Sequence, residues 1–198
     1  MISGFGSNME FLLRDLSRNN HPGEARIVIS DNPEALGLIK AKRRGIPTRT
    51  ITPKTNHLRK EDFESKLLTL LKFNEIETIC LAGFMRVLSP KFLAEYSGHI
   101  LNIHPSILPS LKGLNTHERV LKKRLPVHGA TVHKVTKDLD AGKILGQTTI
   151  RIQKDDTPQS LSNRLKPKEH QLYAETLRNF LSGNSDIIQK YEEAEATA

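Results

Sequence analysis

Short apolar, β-branched runs alternate along this chain with longer stretches whose apolar residues recur every three or four positions. That alternation predicts an α/β fold built on a doubly wound, mostly parallel sheet. Arg26 to Ser30, Thr48 to Ile51, Thr78 to Ala82 and Ile100 to Ile103 read as strands. Pro33 to Arg44 reads as a helix closed by Gly45 and Pro47, and Lys60 to Phe73 as an amphipathic helix with Phe63, Leu67, Leu70 and Leu71 on one side. Pro90 to Tyr96 and Thr116 to Lys123 are shorter helices. Ala130 to Val135 and Ile144 to Ile152 read as strands parted by the turn Asp138-Leu139-Asp140-Ala141-Gly142, which predicts an antiparallel appendage near the C-terminus. Thr157 to Leu181 reads as a long helix interrupted at Pro167. Residues 1–182 are expected to form one domain, and 183–198 a polar, acidic tail that frays.

The beginning departs from this rhythm. The turn Ser3-Gly4-Phe5-Gly6-Ser7-Asn8 is of a kind that follows a strand and opens a helix, here Met9 to Leu16, yet only Met1 and Ile2 precede it. Glycines let backbone N–H groups close on an anion, and the helix that follows adds its positive end, so Gly4 to Asn8 is a candidate phosphate cradle. The competing reading makes Ser7 or Asn8 an ordinary side-chain N-cap. A dinucleotide fingerprint needs a third glycine where Met9 stands, so a nicotinamide cofactor has only partial support, with Asp31 in the place of its ribose ligand. A Walker-type loop is excluded because no Gly-Lys-Ser/Thr follows.

The sharpest local signal is Asn102-Ile103-His104-Pro105. Residues two apart on a strand point the same way, so Asn102 and His104 share one face at the carboxyl end of a strand, where open α/β sheets bind ligands. An amide beside an imidazole suits a carbonyl oxygen that is becoming negative, and equally suits satisfaction of the next turn. A carboxylate from Asp138 or Asp140 would orient such an imidazole, although both also fit ordinary turn chemistry. His117, His128 and His133 lack the spacing and cysteine partners of a metal site, and no metal is expected. No nucleophile elbow is present, which leaves direct transfer to a bound nucleophile.

Charge narrows the partners. The 198 residues carry 30 Lys and Arg against 22 Asp and Glu, a formal net charge of +8, which suits phosphate- or carboxylate-bearing ligands. The densest basic stretches, Lys40 to Arg44 and Lys122 to Arg124, read as solvated helix faces, and no aromatic residues interleave them as base stacking requires, so nucleic acid is not expected. The single cysteine, Cys80, rules out an intramolecular disulfide and reads as a buried core residue. No leader or membrane span is evident, and the expected compartment is the cytoplasm.

Taken together, the cradle, Leu81-Ala82-Gly83-Phe84-Met85-Arg86-Val87-Leu88-Ser89, Leu101 to Pro109, Gly129-Ala130-Thr131-Val132-His133, Asp138 to Gly142 and Glu169-His170 resemble the phosphoribosylglycinamide formyltransferases over nearly the whole chain. The resemblance implies formyl transfer from 10-formyltetrahydrofolate, as co-substrate, to the amine of glycinamide ribonucleotide in purine synthesis. It implies a catalytic trio of Asn102, His104 and Asp140, with a charged His104 and Asn102 holding the oxyanion and Asp140 sustaining His104. Gly6, Ser7, Asn8 and Lys166 would hold the substrate phosphate, and Glu169 the ribose hydroxyls. Met85, Arg86, Val87, Leu88, Val135 and Asp138 would wall the folate site, Arg86 taking the glutamate carboxylate. Leu108-Pro109 would be a cis peptide. Family members carry several more apolar residues before the glycine turn, forming a central strand, so the chain as given is expected to start internally. Methionyl-tRNA formyltransferase and formyltetrahydrofolate deformylase share the trio but normally carry a further domain, for which this length leaves no room. A basic, non-catalytic binding module has the net charge as its only support.

Overall fold

The structure, a computed structural model, describes residues 1–52 and 60–191. The chain divides into two compact units, Met1–Asn102 and a second from Ile103 onward. The first holds helix α1 (Ser7–Leu16), strand β1 (Val28–Ser30), α2 (Leu36–Arg43), β2 (Thr48–Thr50), α3 (Lys60–Phe73), β3 (Thr78–Leu81) and α4 (Pro90–Glu95). Strand β4 (His99–His104) carries the chain across the boundary. The second unit holds α5 (Thr116–Lys122), β5 (Val127–Lys134), β6 (Ile144–Arg151), α6 (Pro158–Leu181) and β7 (Ile188–Lys190). Pairing is parallel for β1 with β2, β3 with β4 and β6 with β7, and antiparallel for β5 with β6. This is the mixed, parallel-dominated α/β architecture that the alternation predicts.

In the first unit, Met1 to Ser3 lies between two strands. Ile2 N–H donates to the Ile29 carbonyl at 3.0 Å, Ala82 N–H donates to the Met1 carbonyl at 2.9 Å, and Ser3 N–H donates to the Gly83 carbonyl at 3.0 Å. Ile2 is fully buried and bridges Ser30 in parallel. Met9 and Leu12 of α1, Ile29 of β1 and Leu38 and Ala41 of α2 are buried as well, because the apolar residues of each element fall on one side. Phe63, Leu67 and Leu71 form the buried stripe of α3, with Leu70 at its margin. Cys80 is half-buried rather than in the core, because the alternation of β3 sends Ile79 and Leu81 inward and Cys80 to the other face.

In the second unit, β5 is buried along almost its whole length, and Leu161, Leu165, Leu172, Tyr173 and Leu177 give α6 a continuous apolar side. Thr157 caps α6, its hydroxyl accepting from Ser160 N–H at 3.1 Å while Ser160 Oγ accepts from Thr157 N–H at 2.9 Å. Pro167 does not interrupt this helix: it sits inside one unbroken run of 24 residues. The proline is exposed, and buried Leu165 and Glu169 on either side anchor the turns whose hydrogen bond it lacks. The polar segment read as a fraying tail contains β7, paired in register with β6 from Gly146↔Ile188 to Thr148↔Lys190. Residues 192–198 of that tail lie outside the described residues. Among the described residues no helix is long and apolar enough to cross a membrane.

Candidate active site

The glycine-rich turn opens a helix without a side-chain cap. Helix α1 begins at Ser7, two residues before the predicted start at Met9, and its N-cap is Gly6, with φ 71 and no side-chain cap hydrogen bond. The side-chain N-cap reading of Ser7 or Asn8 is therefore overturned, since both lie inside the helix. A positive φ at Gly6 suits a residue without a Cβ, and space enforces the same choice, because a Cβ there would stand 2.9 Å from Gly37 Cα. Ser3 to Asn8 line a cavity of about 290 Å³ together with Ala82, Gly83 and Met85. Met85 N–H donates to Ser3 Oγ at 3.0 Å, which ties the Met85 to Leu88 turn to the cradle.

That turn is itself held from below. Leu88 is buried while Met85 and Val87 are exposed, so two apolar side chains stand ready on its surface. Arg86 lies with its guanidinium carbon 4.9 Å from the centre of the Phe63 ring, a cation–π placement that leaves its fork of donors oriented. The buried Glu64, which the sequence reading passed over, accepts from Ser89 N–H at 2.7 Å and from the Ser89 hydroxyl, and Ser89 in turn caps α4 by accepting from Phe92 N–H at 3.0 Å. Its only sequence signal is a carboxylate on the apolar side of an amphipathic helix.

In the second unit, His104 closes β4 and Asp140 follows β5 across the turn, and the structure brings them together. His104 Nδ1 stands 3.4 Å from Asp140 Oδ2, with both side chains buried. A carbonyl can only accept, so His104 Nε2 carries a proton toward the Leu111 carbonyl at 3.0 Å. The same carboxylate receives Gly113 N–H at 2.9 Å and faces His133 Nε2 at 3.5 Å through its other oxygen. His133 was weighed in the sequence only as a metal ligand. Its Nδ1 donates to the Lys134 carbonyl at 2.9 Å, which turns the opposite nitrogen to Asp140. Burial works to raise the Asp140 carboxyl, but the hydrogen bonds from His133 and Gly113 and the charges of His104 and His133 outweigh it and hold the group at about 2. It is an ionised carboxylate at neutral pH. Asn102 lies two residues before His104 on β4 and so shares its side of the strand.

The other candidates of this unit are scattered. Lys166 is exposed and Glu169 buried, one turn apart on α6. Burial first, and then the charge of Lys166, lowers the His117 imidazole from its ordinary value. His117 Nδ1 and His128 Nε2 share one hydrogen bond at 2.9 Å, a histidine pair rather than a ligand set. Val135 is half-buried, whereas Asp138 is exposed, so of the two turn carboxylates only Asp140 enters the buried cluster. Leu108-Pro109 is cis. Among the described residues no group of three or more His, Cys, Asp or Glu is disposed to hold a metal ion.

Comparison with known proteins gives one consistent result. The family model described as formyl transferase matches residues 1–177. The chain is 35% identical over 183 residues to the phosphoribosylglycinamide formyltransferase of Escherichia coli K12, covering 92% of this chain and 86% of that one. It is 43% identical over 187 residues to the human trifunctional purine biosynthetic protein adenosine-3, of which it spans only 18%. Among solved structures, the phosphoribosylglycinamide formyltransferase of Brucella melitensis matches with a TM-score of 0.86 and 44% identity, covering 92% of this chain and 93% of that one.

Proposed function

Because the chain belongs to the formyl transferase family, as one of its phosphoribosylglycinamide formyltransferases, we propose that it transfers the formyl group of 10-formyltetrahydrofolate to the amine of glycinamide ribonucleotide in purine synthesis, in the cytoplasm. The observation that carries this reading is the buried His104–Asp140 pair at 3.4 Å, set on the strand that also presents Asn102. The substrate amine attacks the formyl carbon, a C–N bond forms and the carbonyl electron pair moves onto oxygen. Asn102 and His104 donate hydrogen bonds to that oxyanion, the formyl oxygen taking the place that the Leu111 carbonyl holds at His104 Nε2. Asp140 stays ionised and orients the imidazole through Nδ1. Collapse of the intermediate breaks the bond between the formyl carbon and the folate nitrogen, which gains the proton that the attacking amine loses.

The remaining roles follow the family pattern. Gly6, Ser7 and Asn8, at an uncapped helix start lining a cavity, receive the phosphate, with Lys166 as a charged partner and Glu169 on the ribose. Met85, Arg86, Val87 and Leu88, with Val135 and Asp138, serve the folate, and Arg86 takes its glutamate carboxylate. The test is a transfer assay with glycinamide ribonucleotide and formyl-folate on wild type, Asn102→Ala and His104→Ala. Each substitution is expected to lower kcat by on the order of 10²-fold, the loss of one preorganised oxyanion donor. A folded His104→Ala protein with near-normal turnover would reject the assignment.

A further inference from the structure

The basic stretch Lys40 to Arg44 is not simply a solvated face, because two of its members turn back toward the glycine cradle. Helix α2 is docked beneath the turn by Gly37, whose N–H donates to the Gly4 carbonyl at 3.1 Å. A Cβ on Gly37 would stand 2.4 Å from Ile2 Cδ1 and 3.2 Å from Gly6 Cα, so a residue without a Cβ suits this close approach of the helix. One turn further along α2, Lys40 Nζ lies 3.4 Å from the centre of the Phe5 ring and 3.1 Å from Glu10 Oε2. Arg44, at the C-cap of α2, reaches the other Glu10 oxygen at 3.4 Å. Phe5 is 61% exposed and lines the cavity, at the tip of the turn between the two glycines.

Glu10 is the odd member of this group. It sits in the first turn of α1, where a carboxylate favours the helix but repels an anion arriving at the same N-terminus. Two cations answer one carboxylate, so the cluster carries a net charge of +1 beside the cradle. The hydrogen bond from Lys40 leads the effects that lower the Glu10 carboxyl, so this carboxylate stays ionised and keeps Lys40 in place. The Lys40 side chain is only 21% exposed, pinned between an aromatic face and a carboxylate, and an ordered cation loses little further freedom when a ligand arrives.

Resting on the reading of the glycine turn as the phosphate site, we propose that Lys40, seated on Phe5 and partnered by Arg44, is a further recognition cation for the phosphate-bearing substrate, with Glu10 as its counter-charge. Phe5 is its platform, and Gly37 sets its height by holding α2 against the turn. Long-range attraction of a phosphate dianion then comes from α2, and close hydrogen bonding from the backbone of α1.

The test is an equilibrium titration of the full chain with ribose 5-phosphate, with ribose as the control, repeated across a range of salt concentrations. Lys40→Met is expected to weaken ribose 5-phosphate binding about fivefold at low salt, with the difference shrinking as salt rises. Glu10→Gln is expected to act in the opposite direction and tighten binding about twofold, because it removes the repelling charge and leaves both cations. In the transfer assay Lys40→Met raises KM for glycinamide ribonucleotide by the same factor and moves kcat less than KM. If Lys40→Met binds as wild type does, or if Glu10→Gln weakens binding as Lys40→Met does, the cluster is a staple between helices and the inference is wrong. If wild type fails to distinguish ribose 5-phosphate from ribose, the cradle reading itself falls and this inference falls with it.

Discussion

Asp140→Asn is the most informative single change in this protein, because it keeps the shape of the side chain and removes only its charge. The hydrogen-bond pattern fixes how the amide would sit. Its oxygen must stay where Oδ2 is, since Gly113 N–H at 2.9 Å needs an acceptor there. Its NH₂ then faces His133 Nε2, which can accept while Nδ1 goes on donating to the Lys134 carbonyl. The variant is therefore expected to fold. What it loses is the preference for charge that holds the Asp140 carboxyl at about 2 instead of 3.8, worth about 2 kcal/mol. The folded-state value is depressed, so this stabilisation is complete above the unfolded value, near pH 4, and is lost as pH falls from there toward 2. In urea titrations wild type should exceed Asp140→Asn by about 2 kcal/mol at pH 7, with the gap closing below pH 4. In the transfer assay the loss of a fixed anion behind His104 should lower kcat by about 10²-fold, somewhat more than the ~30-fold that 2 kcal/mol alone would give, since the imidazole is also freed to turn. A folded Asp140→Asn enzyme whose kcat stays within about threefold of wild type would refute the claim that this carboxylate sustains His104.

Three other changes probe the frame around the site. Gly142→Ala would place a Cβ 1.8 Å from the Lys134 carbonyl oxygen and should cost about 3 kcal/mol or more in urea titrations, with activity lost in parallel as the Asp140 turn moves. His128 is pulled down to about 4, by burial first and then by the charges of His117 and His104, so the unfolded chain binds more protons than the native one between about pH 6.5 and 4. Stability should therefore be full above pH 6.5 and fall on acidification through that window, and His128→Gln should flatten the slope measured by urea midpoints. Pro167→Ala restores a backbone donor inside α6 at an exposed position and should raise stability by about 1–3 kcal/mol, read as an increase in Tm.

The parts of the fold that were legible in the sequence are those where one periodicity acts alone. Helix α3 runs over the residues its pattern marks, Lys60–Phe73, because Phe63, Leu67 and Leu71 repeat at helical spacing on one side of it. Strand β7 was not legible, since Ile187 and Ile188 are an isolated apolar pair in a polar stretch, and the strand exists only because β6 offers it an edge. Pro167 misled for the opposite reason: a local breaker is outweighed by the buried residues of α6 on both sides. At the site, Asn102 and His104 were visible as a same-face pair, but the residues themselves gave no ground for preferring Asp140 to Asp138. That choice came from the resemblance; in the structure Asp140 is buried against two imidazoles and Asp138 is exposed. His133 stayed hidden as a partner of Asp140 because its role depends on a bond from its other nitrogen to the Lys134 carbonyl, which no side-chain pattern encodes.

Besides His133, the His104–Asp140 pair is held by backbone, and that explains why a search for reactive side chains finds the pair and misses much of what fixes it. Leu111, Asn115 and Asp140 all take positive φ, at 55, 57 and 46, in the left-handed region that costs a non-glycine residue roughly 1–2 kcal/mol each. Leucine gives no warning of such a conformation. Yet it is the Leu111 carbonyl that meets His104 Nε2, and two residues later it is Gly113 N–H, at φ 77, that meets Asp140 Oδ2. One short loop thus addresses both members of the pair, with an acceptor for the imidazole and a donor for the carboxylate. Returning Leu111 to an ordinary right-handed or extended conformation would swing its peptide group and disturb both bonds together. Imidazole and carboxylate therefore share one strained segment as a common partner, with His133 as the carboxylate's further side-chain partner. The strain is tolerable because each bond it creates falls on a group already buried, where an unmade hydrogen bond would cost as much as the strain itself, about 1–3 kcal/mol.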